Sequence, residues 1–150
     1  MELEAAAARA ASRQNLLRSP FFREFGDRPL FVSRDGLLEL SAGDCIRSIV
    51  GKITAGRLPV DDIALSFHLY LVSGFGNMIH YLHQQTGIDT VVLSGGSVQN
   101  RILAEGFIDF FAPTQLKLYT NVQVPANDGG LALGQALIGG FHVSGDPHAG

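Results

Sequence analysis

Two short strand-like runs, Thr90-Val91-Val92-Leu93 and Leu116-Lys117-Leu118-Tyr119, constrain this chain most. Each is followed by a polar, glycine-bearing loop and then by a helical segment. The first run is apolar and β-branched, the composition of a strand buried on both faces. Gly95-Gly96 turn the chain into a helix from about Val98 to Phe111, which Pro113 breaks. The second run leads to Asn127-Asp128-Gly129-Gly130 and a helix over Leu131 to Ile138. A long helix precedes both runs. Asp61 and Asp62 suit the positive end of its dipole, and Phe67, Leu71, Phe75, Met78 and Leu82 recur as one stripe. Gly87 suits a left-handed stop. Helix, strand, helix, strand, helix predicts a right-handed parallel crossover, hence an α/β fold with a small, mostly parallel sheet flanked by helices.

The upstream part reads differently. Leu3 to Arg18 predicts a helix of high propensity and weak amphipathic pattern, ended by Ser19-Pro20. Leu30-Phe31-Val32, Asp35-Gly36 and Leu37-Leu38 predict a hairpin, and Ile46 to Ile53 a helix. Residues 1–60 hold nine Lys or Arg and seven Asp or Glu; residues 61–150 hold two and seven. Sparse charge and abundant glycine in the second part fit buried elements whose loops approach a ligand. The expected division is an N-terminal helical extension at 1–19, a body at 20–140 and a flexible tail at 141–150.

Composition excludes several classes. With 46% hydrophobic residues in 150, the chain can build its own core. A net charge of −3 argues against a general nucleic-acid or membrane-surface binder. Glu2 and Glu4 stand where a signal peptide is basic, and no run approaches the ~20 apolar residues of a membrane span. The single Cys45 excludes a disulfide framework and, without a His or basic partner nearby in sequence, reads as a small buried hydrophobe. A soluble cytoplasmic protein is expected.

In such a sheet, ligands collect beyond the carboxyl ends of the strands. Ser94-Gly95-Gly96-Ser97 lies there. Its glycines let backbone approach a ligand, the following helix offers unpaired N–H groups to a phosphate, and Ser94, Ser97, Gln99 and Asn100 add polar groups. A tight turn that needs only glycine explains the same residues equally well. In Asn127-Asp128-Gly129-Gly130, Asp128 suits a helix N-cap. A carboxylate beside phosphates also suits a divalent cation, and Asn127 a nucleoside or phosphate. Two such loops in successive strand-to-helix units favour a nucleotide crevice. His80 and His83 lie three apart but lack a third ligand, so a solvated helix end is the better reading. His68 fits a hydrogen-bonded core position.

The stretch Ser94-Gly95-Gly96-Ser97-Val98-Gln99-Asn100-Arg101-Ile102-Leu103 is followed about two dozen residues later by Val124-Pro125-Ala126-Asn127-Asp128-Gly129-Gly130-Leu131-Ala132-Leu133-Gly134-Gln135-Ala136. Together they strongly resemble the C-terminal end of the HypF carbamoyltransferases, which mature nickel–iron hydrogenases. That family reads S-G-G-V-F-Q-N-R-x-L and P-x-N-D-G-G-I-A-L-G-Q-A. Ile63 to His68 resembles the helix before its strand. The likeness runs from about Asp61 to Gly139, and more faintly back to Pro20.

The resemblance implies the second lobe of an actin/hexokinase-like (ASKHA) ATPase fold, shared with tRNA threonylcarbamoyl transferases. It implies ATP and a divalent metal as cofactors. Carbamoyl phosphate would become carbamoyl-adenylate, and the carbamoyl group would pass to the C-terminal cysteine of a HypE-like partner. Gly95, Gly96, Asn100, Asn127, Gly129 and Gly130 would bind the nucleotide, and Asp128 the metal. Ser97-Val98 departs from the family's Val-Phe. The first lobe with its H-x-x-x-H metal pair has no counterpart in this sequence. The isolated chain is therefore expected to be inactive, its uncovered lobe face meeting a first lobe or a second copy. The alternative is a non-catalytic interaction module or a decayed fragment of the enzyme.

Overall fold

In the computed structural model, which describes residues 2–11, 31–56 and 58–144, the elements run in the following order. They are α1 (Glu2–Ala11), β1 (Phe31–Arg34), β2 (Leu37–Leu40), α2 (Ala42–Thr54), α3 (Val60–Thr86), β3 (Thr90–Leu93), a 3-10 turn at Gly96–Gln99, α4 (Arg101–Phe111), β4 (Lys117–Thr120) and α5 (Gly129–Ser144).

The central element is α3. Pro59 precedes its first turn, where a missing N–H is no loss. Asp61 and Asp62 occupy that turn, and Gly87 closes the helix at φ 73°, its N–H on the His83 carbonyl. Three neighbours bury the first turns almost all round. Ala64, Leu65 and Leu69 meet Ala6, Ala7 and Ala10 of α1 and Ile102 of α4. Val72 joins Val91, Leu93, Phe107, Phe111 and Leu116. Tyr70 packs with Cys45, and Leu40, Ile49, Phe67 and Leu71 close around them.

The buried face of α3 is not the large-residue stripe that periodicity predicts. Phe75 and Leu82 are exposed, whereas Ala64, Gly74 and Gly76 are buried. Close helix contacts select small residues. A Cβ on Gly76 would fall 2.5 Å from the Phe110 ring, and one on Gly106 2.8 Å from Val72. These two glycines set how near α3 and α4 approach. For the same reason α1 looks weakly amphipathic in sequence, since its buried face is alanine alone. The expected continuation of α1 to Arg18, its stop at Ser19-Pro20 and Leu30 of the hairpin lie outside the described residues.

The hairpin forms as expected. β1 and β2 pair antiparallel from Phe31↔Leu40 to Arg34↔Leu37. Asp35 and Gly36, at φ 50° and 78°, give the turn the positive φ values that match strand twist. The helix expected over Ile46 to Ile53 is the longer α2.

β3 and β4 pair in parallel, Thr90↔Lys117 through Leu93↔Thr120, with α4 between them in sequence. The fold is thus α/β with a small parallel sheet flanked by helices. The expectation that β3 is buried on both faces is corrected. Val91 and Leu93 are buried, but Val92 is 65% exposed beside Tyr119 at 55%. Two strands carry helices on one face only among the described residues. At the amino edge of the sheet Lys117 Nζ lies 2.7 Å from Asp89 Oδ2. That hydrogen bond holds the carboxyl below its usual range and the ammonium above its own.

α5 begins two residues earlier than expected and extends to Ser144, so Phe141 and His142 belong to a helix rather than to a tail. Leu131, Leu133, Leu137, Ile138 and Phe141 on it are 46–67% exposed. Among the described residues no helix is long and apolar enough to cross a membrane.

Candidate nucleotide-binding site

Parallel pairing gives β3 and β4 a common carboxyl edge. Ser94-Gly95-Gly96-Ser97 leaves directly from it after β3. The segment carrying Asn127-Asp128-Gly129-Gly130 leaves from it after β4. The strand ends that feed both loops therefore share the edge of the sheet where ligands of open α/β sheets bind, the first loop directly and Asn127 seven residues further along.

In the first loop, Gly95 sits at φ 94°, ψ 165°. That region is essentially closed to residues with a side chain. Gly96 has no positive φ, and an added Cβ would meet nothing within 4 Å. The fold itself therefore demands glycine at 95 and not at 96, where a missing side chain leaves open space at the rim.

The loop does not enter the α-helix at about Val98, as the sequence suggests. It enters a 3-10 turn, and the extended Asn100 at φ −67°, ψ 112° starts α4 at Arg101. The N-terminus of α4 is consequently filled from within. Asn100 Oδ1 accepts from Leu103 N at 3.1 Å, and Glu4 Oε1 of α1 accepts from Arg101 N at 2.8 Å. At the start of the 3-10 turn the amides of Gly96 and Ser97 point to no acceptor among the described residues. An anion at this end of the strand would meet these two N–H groups rather than the first turn of α4. Ser94, Ser97 and Gln99 are exposed beside them.

In the second loop Asp128 directly precedes α5, but the side-chain bond to the helix start comes from Asn127. Asn127 makes the cap: its Oδ1 accepts from Gly129 N at 3.0 Å, and its carbonyl accepts from Gly130 N at 2.9 Å. The Asp128 carbonyl accepts from Leu131 N, while its exposed carboxylate has no hydrogen-bond partner among the described residues. A Cβ on Gly130 would lie 2.7 Å from the Pro125 carbonyl oxygen, so the tight bend requires that glycine. Asn100 and Asn127 thus play matching parts. In each, Oδ1 accepts a backbone N–H of the following helix, which leaves the amide nitrogen for other partners.

One carboxylate on flexible-approach backbone suits a hard divalent cation as a single oxygen ligand, the remainder coming from phosphates, water or other protein groups. Among the described residues no group of three or more His, Cys, Asp or Glu gathers to hold a metal. His80 is exposed and His83 Nδ1 contacts the Ile88 carbonyl at 2.8 Å, which makes this pair a helix end, as expected. Cys45 is buried, and burial pushes its thiol up to about 11, the opposite of a nucleophile.

Two residues at this rim escape sequence reasoning. Glu4 reaches Arg101 across 97 positions, a distance with no local signal. His68 is read correctly as a hydrogen-bonded core residue, but its contact with Asn100, at 2.9 Å, is not visible in the sequence.

Comparison with known proteins agrees with this layout. The chain is 38% identical over 86 residues to the carbamoyltransferase HypF of Rhodobacter capsulatus, which covers 57% of this chain and 11% of that protein. It is 40% identical over 75 residues to the carbamoyltransferase HypF2 of Cupriavidus necator, covering 50% and 9%. The crystal structure of full-length HypF in its phosphate- and nucleotide-bound form superposes with a TM-score of 0.65 at 31% identity, over 79% of this chain and 15% of that one. The crystal structure of T. kodakarensis HypF shares the fold at a TM-score of 0.60 and 24% identity, over 95% of this chain and 16% of that one. The chain spans only about a tenth of the length of the two curated relatives. Residues 1–135 match the family described as carbamoyltransferase, Kae1-like domain, second subdomain. With the rim loops, the parallel strand pair and the matched span in agreement, this chain belongs to that family of HypF carbamoyltransferase subdomains.

Proposed function

We propose that the chain supplies one half of an adenine-nucleotide pocket in a HypF-type carbamoyltransferase. The half is the second lobe of an ASKHA-type ATPase fold, working in the cytoplasm. Gly96 and Ser97 donate backbone N–H groups to phosphate oxygens. Asn100 and Asn127 add amide donors, Gly95 gives the loop its bend, and Gly129 and Gly130 bring backbone close to the nucleotide. Asp128 holds the divalent metal, whose charge offsets that of the phosphates when bound. The reaction served is transfer of carbamoyl from carbamoyl phosphate, through carbamoyl-adenylate, to the cysteine of a HypE-like acceptor.

The observation that carries this reading is Gly96. It is a glycine that neither backbone conformation nor crowding within the fold explains, directly beyond the carboxyl end of β3. A pocket walled on one side admits water and leaves reactants unfixed. These 150 residues on their own are therefore expected to bind Mg-ATP more weakly than micromolar and to transfer no carbamoyl. Calorimetric titration checks this; affinity tighter than micromolar contradicts the half-site. The exposed apolar side chains of α5 favour a second reading, an interaction module with relic loops. A chain that pairs with a partner or itself by light scattering, yet is indifferent to nucleotide at millimolar concentration, fits that reading instead.

A further inference from the structure

The protons of the His68–Asn100 pair are fixed by the two backbone groups at its ends. His68 is 2% exposed on α3. Its Nδ1 lies 2.8 Å from the Ala64 carbonyl oxygen, which only accepts. Asn100 Oδ1 lies 3.1 Å from Leu103 N, which only donates. The amide must therefore turn Nδ2 toward His68 Nε2, at 2.9 Å. Nε2 must then be the acceptor, and the ring's one proton sits on Nδ1. No other neutral arrangement satisfies all three contacts. A flipped amide opposes the Leu103 N–H with an NH₂ group, and the other tautomer opposes the amide nitrogen with a second N–H.

We infer that His68, as the neutral Nδ1–H tautomer, is a positioning residue for the nucleotide rim. It prevents the Asn100 amide from turning, so that the second Nδ2 hydrogen stays free to donate to a ligand. That hydrogen suits an acceptor oxygen, as on a phosphate or ribose. This rests on the nucleotide reading above for the identity of the ligand, but not for the state of the ring. The residue acts through another and touches no reacting atom.

Two measurements on the full chain test it separately. Nitrogen-15 long-range spectra of the histidine rings at neutral pH should show His68 with a protonated Nδ1 and a bare Nε2. Asn100→Asp presents only acceptor oxygens, so in that variant Nε2 should become protonated while His80 and His83 stay unchanged. A bare Nδ1 in the parent chain, or a bare Nε2 in Asn100→Asp, overturns the inference. The second measurement follows the ATP-induced amide shifts of Gly95 and Gly96 at millimolar nucleotide. His68→Gln, which keeps an acceptor near Nε2, should retain affinity within about threefold, whereas His68→Leu should lose about tenfold, the worth of one hydrogen bond. Equal loss in both variants contradicts a positioning role. A parent chain that shows the predicted tautomer but no ATP response refutes the nucleotide reading and leaves the ring assignment standing.

Discussion

Gly95 and Gly96 stand side by side for different physical reasons, and that difference separates stability from function. Gly95 holds φ 94°, ψ 165°, so Gly95→Ala should destabilise the fold by about 1–3 kcal/mol in urea unfolding. Gly96 has open space before it. Gly96→Ala should change stability by less than about 0.5 kcal/mol while weakening Mg-ATP binding severalfold, since the new methyl fills the approach. Cys45 gives a pH test. Its thiol is raised to about 11 in the folded chain from an ordinary 9.0, chiefly by burial. Below pH 9 the thiol is neutral folded or unfolded. Between about 9 and 11 only the unfolded chain loses the proton, so stability falls as pH rises through that window. Burial also raises the Tyr70 hydroxyl, with the same sign. Cys45→Ala should therefore flatten the alkaline fall in the urea midpoint without abolishing it.

At the scale of elements, glycine again decides. Helix α3 meets α4 through Gly76 against the Phe110 ring and Gly106 against Val72. Gly76→Ala should destabilise by about 1–3 kcal/mol through overpacking, although alanine is the better helix former. Gly51, exposed within α2 with nothing within 4 Å of an added Cβ, is the control. Gly51→Ala should stabilise by up to about 1 kcal/mol. Thermal unfolding of the two variants should thus move in opposite directions.

These contacts show what the sequence could reveal of the fold. Elements with a local cause were legible: the Asp35-Gly36 turn, the Gly87 stop, the α3 start at the acidic pair and the order of strands and helices. Packing partners were not. The stripe from Phe67 to Leu82 pointed to a face that Phe75 and Leu82 leave in solvent, because close helix approach buries Ala64, Gly74 and Gly76 instead. Burial of β3 on both faces was inferred from its apolar run, and Val92 departs from it because helices cover one side of the strand pair.

On the scale of the whole molecule, the candidate site was legible in residue type but not in geometry. Both loops were found from their glycines and polar residues, and the segments that carry them leave the same edge of the parallel strand pair. The 3-10 turn after Gly95 and the Asn127 cap depend on hydrogen bonds that spacing does not disclose, and the Glu4 contact joins residues 97 apart. An exposed α5 and a half-covered sheet leave apolar side chains such as Val92, Leu131 and Leu137 at the surface. The claim at the centre of this account is that the loops after β3 and β4 grip one small molecule. Amide shift mapping of the full chain with rising Mg-ATP measures it directly. Shifts at Gly95, Gly96 and Ser97 and at Asp128, Gly129 and Gly130 that saturate along one curve are predicted. Shifts confined to one loop, or two loops that saturate with different constants, contradict it.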